Sequence, residues 1–478
     1  MGCCLLWREC WPPSDGAPRR NRHPIPVALY EYFTVPLLNS SPNEVSTLMP
    51  TIAYLANQFP ATVEPYVSEE IEELRRRGVR VIPGSVRSPH AAPHGLGAVP
   101  FQPEILCLQP IRVLTLLRAS RLAAGRRKQI AGLLTRIVLR GKESPQRRLK
   151  ALLHTGLGAC YAVQLQDRGV DHIHVHHGYF GSWVAMVAAR LLNVSYSLTL
   201  HGSDLLVDSV YLDTKLGNCQ FCATISGFNR RYLLKHFPSI EPEKIIVSRL
   251  GVDVPQRSES TRTFDTARPT FTLLTVGRLH AVKDHALLIR ACACLRDRGL
   301  NFKCAIAGDG PERQRIESLI RQERLQDHMI LLGHVPREKI QSLYERADVV
   351  VLTSRSEGIP LTLMEAMAQG RIVLAPKITG IPELVISGKT GFLYQPGGLK
   401  DCVEKILFLH ELMSSEHRSP VSRLDWIRHA ARVQIVHNFN RKKNLGHFAE
   451  QFLKRVNARD FTAQNWSPPH EDLVLQQI

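Results

Sequence analysis

The sequence predicts an α/β protein with two parallel-sheet domains, and three observations predict it. A βαβ unit opens near residue 52, a second α/β series opens near residue 271, and a polar, charged stretch separates them. The apolar run Val349–Leu352 is continuous rather than alternating, as in strands covered on both faces. The expected divisions are an N-terminal disordered extension (1–48), a first domain (49–254) and a linker (255–269). A second domain (270–425), a returning helical segment (426–457) and a loose tail (458–478) follow.

The first βαβ unit starts at Ile52-Ala-Tyr-Leu and continues into a helix over Tyr66–Arg77, with Val67, Ile71 and Leu74 on one face. Gly78 stops that helix before Val79-Arg-Val-Ile, and such a crossover forecasts parallel strands. His172-Ile-His-Val-His-His-Gly178 reads as a strand whose histidines alternate with apolar residues. No carboxylate set stands beside those histidines in sequence, so no metal site is expected. Tyr196–Leu200 leads into His201-Gly-Ser-Asp204, polar residues just past the carboxyl end of a strand, where open α/β sheets bind ligands. A plain turn with Asp204 capping the next helix is the competing reading. Ala223–Ser226 with Asn229, and Ile245–Asp253, complete this half.

The second half repeats the alternation. Phe271–Arg278 is strand into loop, and Lys283 follows before a helix from His285. A glycine that permits close backbone approach, with two cations at a helix start, suits a diphosphate. Phe302–Pro311, Ile330–Val335 and Arg371–Ala375 supply further strands and turns, and residues 401–455 read as helical. The densest signal is Thr353–Gly370, in which Pro360 can open a helix and Gly370 end it. Glu357 lies in its loop, and Glu365 lies inside its helix among Leu361, Leu363, Met364, Ala366 and Met367. A carboxylate so surrounded needs a hydrogen-bonding partner, and a ribose diol would serve.

The formal charge of +18 calls for an acidic partner: nucleic acid, an anionic membrane surface or a phosphorylated substrate. Residues 111–150 hold twelve Lys or Arg against one acid, Glu143, interleaved with Leu and Ile at helical spacing. They read either as solvated helix faces or as a basic amphipathic surface for anionic lipid. Nucleic acid is not expected, because the stretch has no aromatics for base stacking. Eleven scattered cysteines point to a reducing, cytoplasmic setting, peripheral to the membrane if the basic helices dock there. Cys219 and Cys222 form a single CxxC, two ligands short of a structural zinc site. Gly2, Cys3 and Cys4 would suit dual acylation, but Leu6 stands where Ser or Thr is expected.

The ordered set Gly277-Arg278…Lys283, Gly308-Asp-Gly-Pro311, Leu332-Gly-His-Val335, Glu357-x7-Glu365, Gly380-Ile-Pro-Glu383 and Gly391-Phe-Leu resembles the donor half of glycosyltransferase family 4. Phe59-Pro…Tyr66…Glu70 and Thr199–Asp204 resemble the bacterial enzymes of that family that build exopolysaccharide of the colanic acid type. The resemblance spans roughly residues 50–455. It implies a GT-B architecture: two Rossmann-like domains facing across a cleft, with the last helix crossing back to the first. It further implies retaining, metal-independent hexosyl transfer from a nucleotide-sugar donor to a saccharide or lipid-linked acceptor, with no separate cofactor. By the family pattern Arg278 and Lys283 hold the donor diphosphate, Glu365 the ribose, and His334 and Val335 the base. Glu357 with the backbone of Gly358, Ile359, Pro360 and Leu361 meets the sugar, and His201 approaches it from the first domain with Asp204 nearby. The chain departs from the pattern on the acceptor side, at Thr62–Tyr66 and in lacking a Gly-Gly pair near the first strand. The alternative is a non-catalytic nucleotide-sugar sensor or assembly partner. A dinucleotide oxidoreductase would need a GxGxxG after a strand, which neither half has.

Overall fold

The computed structural model describes residues 49–61, 64–87, 105–141, 143–207, 209–255, 270–416 and 422–457. The N-terminal extension with its acylation motif, nearly all of the linker and the C-terminal tail lie outside the described residues.

The first domain is a seven-stranded parallel sheet. Its strands are β1 (Thr51–Gln58), β2 (Arg80–Arg87), β3 (Leu106–Cys107), β4 (His172–His176), β5 (Ser195–Leu200), β6 (Phe221–Thr224) and β7 (Ile245–Val247). Their spatial order is β3-β2-β1-β4-β5-β6-β7. The alternation of β1 explains its place at the centre. Ala53 and Leu55 enter the core beneath helices Pro145–Leu165 and Phe180–Leu192, while Ile52, Tyr54 and Ala56 enter a second core on the opposite face. In the second core stand Val67, Ile71 and Leu74 of helix Pro65–Arg76, on one face as their spacing requires. Pro65 occupies the first turn of that helix, and Gly78 at φ +85° follows its end.

The second domain is a six-stranded parallel sheet of β8 (Phe271–Val276), β9 (Phe302–Ala307), β10 (Met329–Gly333), β11 (Val349–Val351), β12 (Ile372–Pro376) and β13 (Phe392–Tyr394). Its order is β10-β9-β8-β11-β12-β13. Thus β8 and β11 are neighbours although more than seventy residues apart, and the loops after them meet at the carboxyl edge. The short helix Leu361–Ala368 begins after Pro360, and Gly370 lies just past its end at φ +66°.

The chain returns to the first domain through helix Arg441–Val456. Phe448, Ala449 and Phe452 fill the second core of the first sheet, each phenyl contributing about 2 kcal/mol of apolar burial. Asn444 donates to the Leu250 carbonyl at 3.1 Å, Gln220 to that of Arg455 at 2.7 Å, and Arg441 pairs with Glu69 and Asp253. The preceding helix, Arg423–Asn438, packs instead on the second domain, where Leu424 and Ile427 join its core. The crossing therefore starts after Phe439 rather than at residue 426. No helix among the described residues is long and apolar enough to cross a membrane.

Candidate active site

The carboxyl edge of the second sheet is built by glycine turns. After β8 the Gly277 amide donates to the Ala307 carbonyl at 3.0 Å, and after β9 the Gly308 amide donates to the Gly333 carbonyl at 2.8 Å. Gly308 sits at φ +152°, and a Cβ there would lie 1.8 Å from the Gly277 carbonyl oxygen, so no side chain fits. The result is a floor of backbone with Arg278 exposed at one side and His334 at the other. Lys283 projects from the turn before helix His285–Asp297, and its Nζ donates to Glu357 Oε1 at 2.5 Å. Thr353 Oγ1 donates to the Lys283 carbonyl at 2.9 Å, and the Arg355 amide to that of Val282 at 2.8 Å. Lys283 and the loop before helix Leu361–Ala368 are thus one unit. Within that helix Glu365 is half-buried, and the Tyr344 hydroxyl donates to its Oε2 at 3.0 Å.

The opposing wall is made of side chains from four separate elements of the first domain. His176, at the end of β4, contacts His201 with Nδ1 to Nε2 at 2.9 Å. Its other nitrogen lies 3.1 Å from both the Tyr54 hydroxyl and Glu70 Oε2, and Tyr54 in turn donates to Glu70. The Tyr66 ring stacks on His201 at 4.5 Å between centroids. Next to it, His177 lies 3.0 Å from Glu64 Oε1 and 3.6 Å from Asp204 Oδ2. Asp204 is fully buried and accepts backbone hydrogen bonds from Gly178, His201 and Gly202 at 2.8 to 3.2 Å. It thereby fixes the loop that presents His201.

Electrostatics separates the two adjacent imidazoles. Burial opposes the charge on His177, yet the carboxylates of Asp204 and Glu64 beside it raise its pKa to about 9, so it is a cation at neutral pH. Burial first, then the neighbouring His177 and His176, push His201 well below the ordinary histidine value. His201 is therefore neutral. Burial alone would raise Asp204, but His177 holds its carboxyl well below the usual range. Glu64 is lowered as well: the hydrogen bond and charge of His177 outweigh its burial, with Arg278 across the cleft adding a smaller pull.

The two walls touch at Gly358, where an added Cβ would lie 2.2 Å from the His201 carbonyl oxygen and 2.5 Å from Ile225. Between them lies a cleft of about 1040 Å³. Arg278, His334, Val335, Leu361 and Glu365 line it from the second domain, and Tyr66 and Glu70 from the first.

Residues 258–420 match the family model of the glycosyl transferases group 1. This stretch, about a third of the chain, is similar to the group 1 glycosyltransferase domain. The chain is also similar to the putative colanic acid biosynthesis glycosyltransferase WcaL of Escherichia coli, 33% identical over 206 residues, or 42% of this chain and 48% of that one. It is similar to the amylovoran biosynthesis glycosyltransferase AmsK of Erwinia amylovora, 28% identical over 254 residues, or 50% and 61%. The chain thus spans about half the length of such curated relatives. The fold matches a glycosyltransferase from Rickettsia africae (TM-score 0.61, 20% identity, 86% of this chain and 99% of that one). It also matches Anabaena HepE in complex with UDP and glucose (TM-score 0.60, 17% identity, 85% and 100%). The architecture is GT-B.

In the second domain Arg278, His334, Val335, Leu361 and Glu365 share the cleft. Lys283 and Glu357 meet each other, and Gly358, Ile359 and Pro360 form the loop that approaches His201. His201 itself lies behind Tyr66 and is packed against His176. One expectation is corrected: the histidines of β4 do have carboxylates beside them. Glu64, Glu70 and Asp204 arrive from other elements, which the order of the chain does not reveal. Glu70, His174 and His176 offer ligand atoms within 4.8 Å of one another. Both nitrogens of His174 are already engaged, by Ser197 at 2.7 Å and Thr199 at 3.1 Å, so the group works here as a hydrogen-bonded core. Cys219 and Cys222 are buried free thiols, and burial pushes that of Cys219 up to about 12.

Glu383 of the Gly380-Ile-Pro-Glu383 motif has a role that sequence reasoning missed. Its carboxylate accepts from the amides of Gly227 and Phe228, capping a first-domain helix, Gly227–His236, from the second domain. An acid just after Ile-Pro is the only sequence signal, and its partner is 156 positions away.

Proposed function

We propose that this protein is a retaining, metal-independent glycosyltransferase that moves a hexose from a nucleotide-sugar donor to a saccharide acceptor, lipid-linked, in exopolysaccharide or cell-surface glycan synthesis. The observation that carries the reading is the cleft of about 1040 Å³, with Arg278 and Glu365 on one wall and Tyr66 and Glu70 on the other. Departure of a nucleoside diphosphate requires stabilisation of charge on its leaving oxygen. In this reading Arg278 and Lys283 supply it, with the amides at the start of helix Leu361–Ala368. Glu365, already oriented by Tyr344, holds the ribose hydroxyls, and His334 and Val335 flank the base. The diphosphate draws Lys283 away from Glu357, which turns to the sugar with the backbone of residues 358–361. Neutral His201, held by His176, hydrogen-bonds the sugar from the first domain without adding a charge there. The work is cytoplasmic, and the basic helices of 111–150 hold the enzyme on an anionic membrane face. The relatives named above, and the UDP and glucose in HepE, support this reading by analogy.

The test is incubation with a panel of nucleotide sugars while free nucleotide diphosphate is followed. Slow release from one donor, abolished in Glu365→Ala, is the expected result. Tight donor binding without release, even with lipid-phosphate acceptors added, would favour a nucleotide-sugar sensor instead.

A further inference from the structure

A second cavity, of about 460 Å³, opens on the first domain one residue layer from His177. Arg147, Lys150 and His154 line it from helix Pro145–Leu165, and Tyr179, Phe180 and Trp183 from the start of the next helix. Lys215 stands at its base, its Nζ donating to the carbonyls of Gly178 at 2.7 Å and Val210 at 2.8 Å. Among the described residues no carboxylate lines this cavity. Burial, with Lys215 and Lys150 nearby, holds the His154 pKa down at about 4, so the charge comes from the Arg and Lys side chains. The Arg87 guanidinium lies 5.6 Å from the Phe180 ring centre, a further cation at the rim. Helix Phe180–Leu192 also begins here, and its N-terminal dipole favours an anion. The site is therefore built for negative charge flanked by aromatic surface.

The outer surface of helix Pro145–Leu165 is apolar where solvent should find polar side chains. Leu153, one turn on from Lys150, is 62% exposed, and Leu149 is 60% exposed. Helix Val113–Gly125 packs beside it and leaves Val113, Leu114 and Leu117 open. Cations around an anion-sized cavity, continued by exposed leucines, fit one kind of molecule: a phosphate head on a long apolar chain. The route to the reaction centre is short. The Tyr179 ring is 5.8 Å from His177, His177 is 4.5 Å from His201, and the Tyr179 hydroxyl donates to Ser203 at 2.8 Å.

We propose that this cavity holds the phosphate head of a lipid-linked acceptor, with the exposed leucines of helix Pro145–Leu165 carrying the first part of its chain. The inference rests on the transferase reading above and gives its lipid-linked acceptor a binding place. Head and chain are then anchored on the first domain, and the sugar end is left to extend past Tyr179 toward the main cleft.

The test is calorimetric titration of the full chain with farnesyl diphosphate and, separately, with inorganic diphosphate. Farnesyl diphosphate should bind at least about tenfold tighter than inorganic diphosphate. Arg147→Glu/Lys150→Glu should weaken farnesyl diphosphate by about thirtyfold or more. Leu149→Ser/Leu153→Ser should weaken it while leaving inorganic diphosphate unchanged, and this second pair decides the matter should the first fail to fold by thermal melting. Equal affinity for the two probes would overturn the proposal, as would a loss seen with Lys283→Ala instead, which would put the diphosphate in the main cleft. Binding to phosphatidylglycerol vesicles without uptake of farnesyl diphosphate would reduce the surface to a membrane contact and also overturn it. Uptake here by a protein that releases nucleotide from no donor would keep this site and sink the transferase reading. Donor turnover without uptake would do the reverse.

Discussion

The two walls of the main cleft are built by different means. The second-domain wall is mostly backbone: glycine turns at 277, 308 and 333 stacked edge to edge, with a few side chains around them. The first-domain wall is almost all side chain, a packed network running Tyr54, Glu70, His176, His201 and Tyr66, with His177, Glu64 and Asp204 alongside. A backbone wall can hold a constant chemical group, such as a diphosphate, whatever else the ligand carries. A side-chain wall can be re-specified one residue at a time. In the proposed function the fixed frame would read the donor and the adjustable one the acceptor.

The largest effect that would break this comparison is on turnover. Lys283→Ala should lower donor turnover by about a hundredfold to a thousandfold, because it removes a preorganised cation from the leaving group. Steady-state kinetics checks this, and a change under threefold would mean that Lys283 serves only to hold Glu357. Next comes a pH effect on stability confined to the first-domain wall. His177 titrates at about 9 in the folded protein against 6.5 for an ordinary histidine. Its contribution, on the order of 3 kcal/mol, is fully present below pH 6.5 and is lost as pH rises through 9. Thermal melting should therefore show wild type well above His177→Gln at pH 6 and the two converging by pH 10. A gap that stays constant with pH would contradict the cationic assignment. The smallest effect lies where the walls are joined. Glu383→Ala removes the acceptor of the Gly227 and Phe228 amides, while Ser226 still caps helix Gly227–His236, and should cost about 1 kcal/mol, read as a modest fall in melting temperature. No fall would mean that the Glu383 contact does not help to hold the two domains together.

The same contrast explains what was legible in the sequence. The second-domain wall could be read because its residues sit at strand ends in short, ordered stretches, each with a local signal: Gly277 before Arg278, Gly308 before Asp309, Pro360 before the helix of Glu365. Both parallel sheets followed from apolar strand runs alternating with helical stretches, for the same reason. The first-domain network could not be read, since Glu70 and His176 are 106 positions apart and Tyr54 and His176 are 122 apart. Nothing local marks Glu64 as the partner of His177, and the histidines of β4 taken alone look like strand residues with no acid beside them. The basic stretch of 111–150 showed its charge and periodicity, but only the fold shows that Arg147, Lys150 and the aromatic residues after Gly178 enclose one cavity.

The most direct test of the division between the walls is calorimetric titration of nucleoside diphosphates into wild type, Lys283→Ala and His177→Gln at pH 7. One diphosphate should bind wild type, bind Lys283→Ala about tenfold or more weakly, and bind His177→Gln as it binds wild type. Equal loss in both variants, or no binding to any of the three, would contradict a donor site built on the second domain.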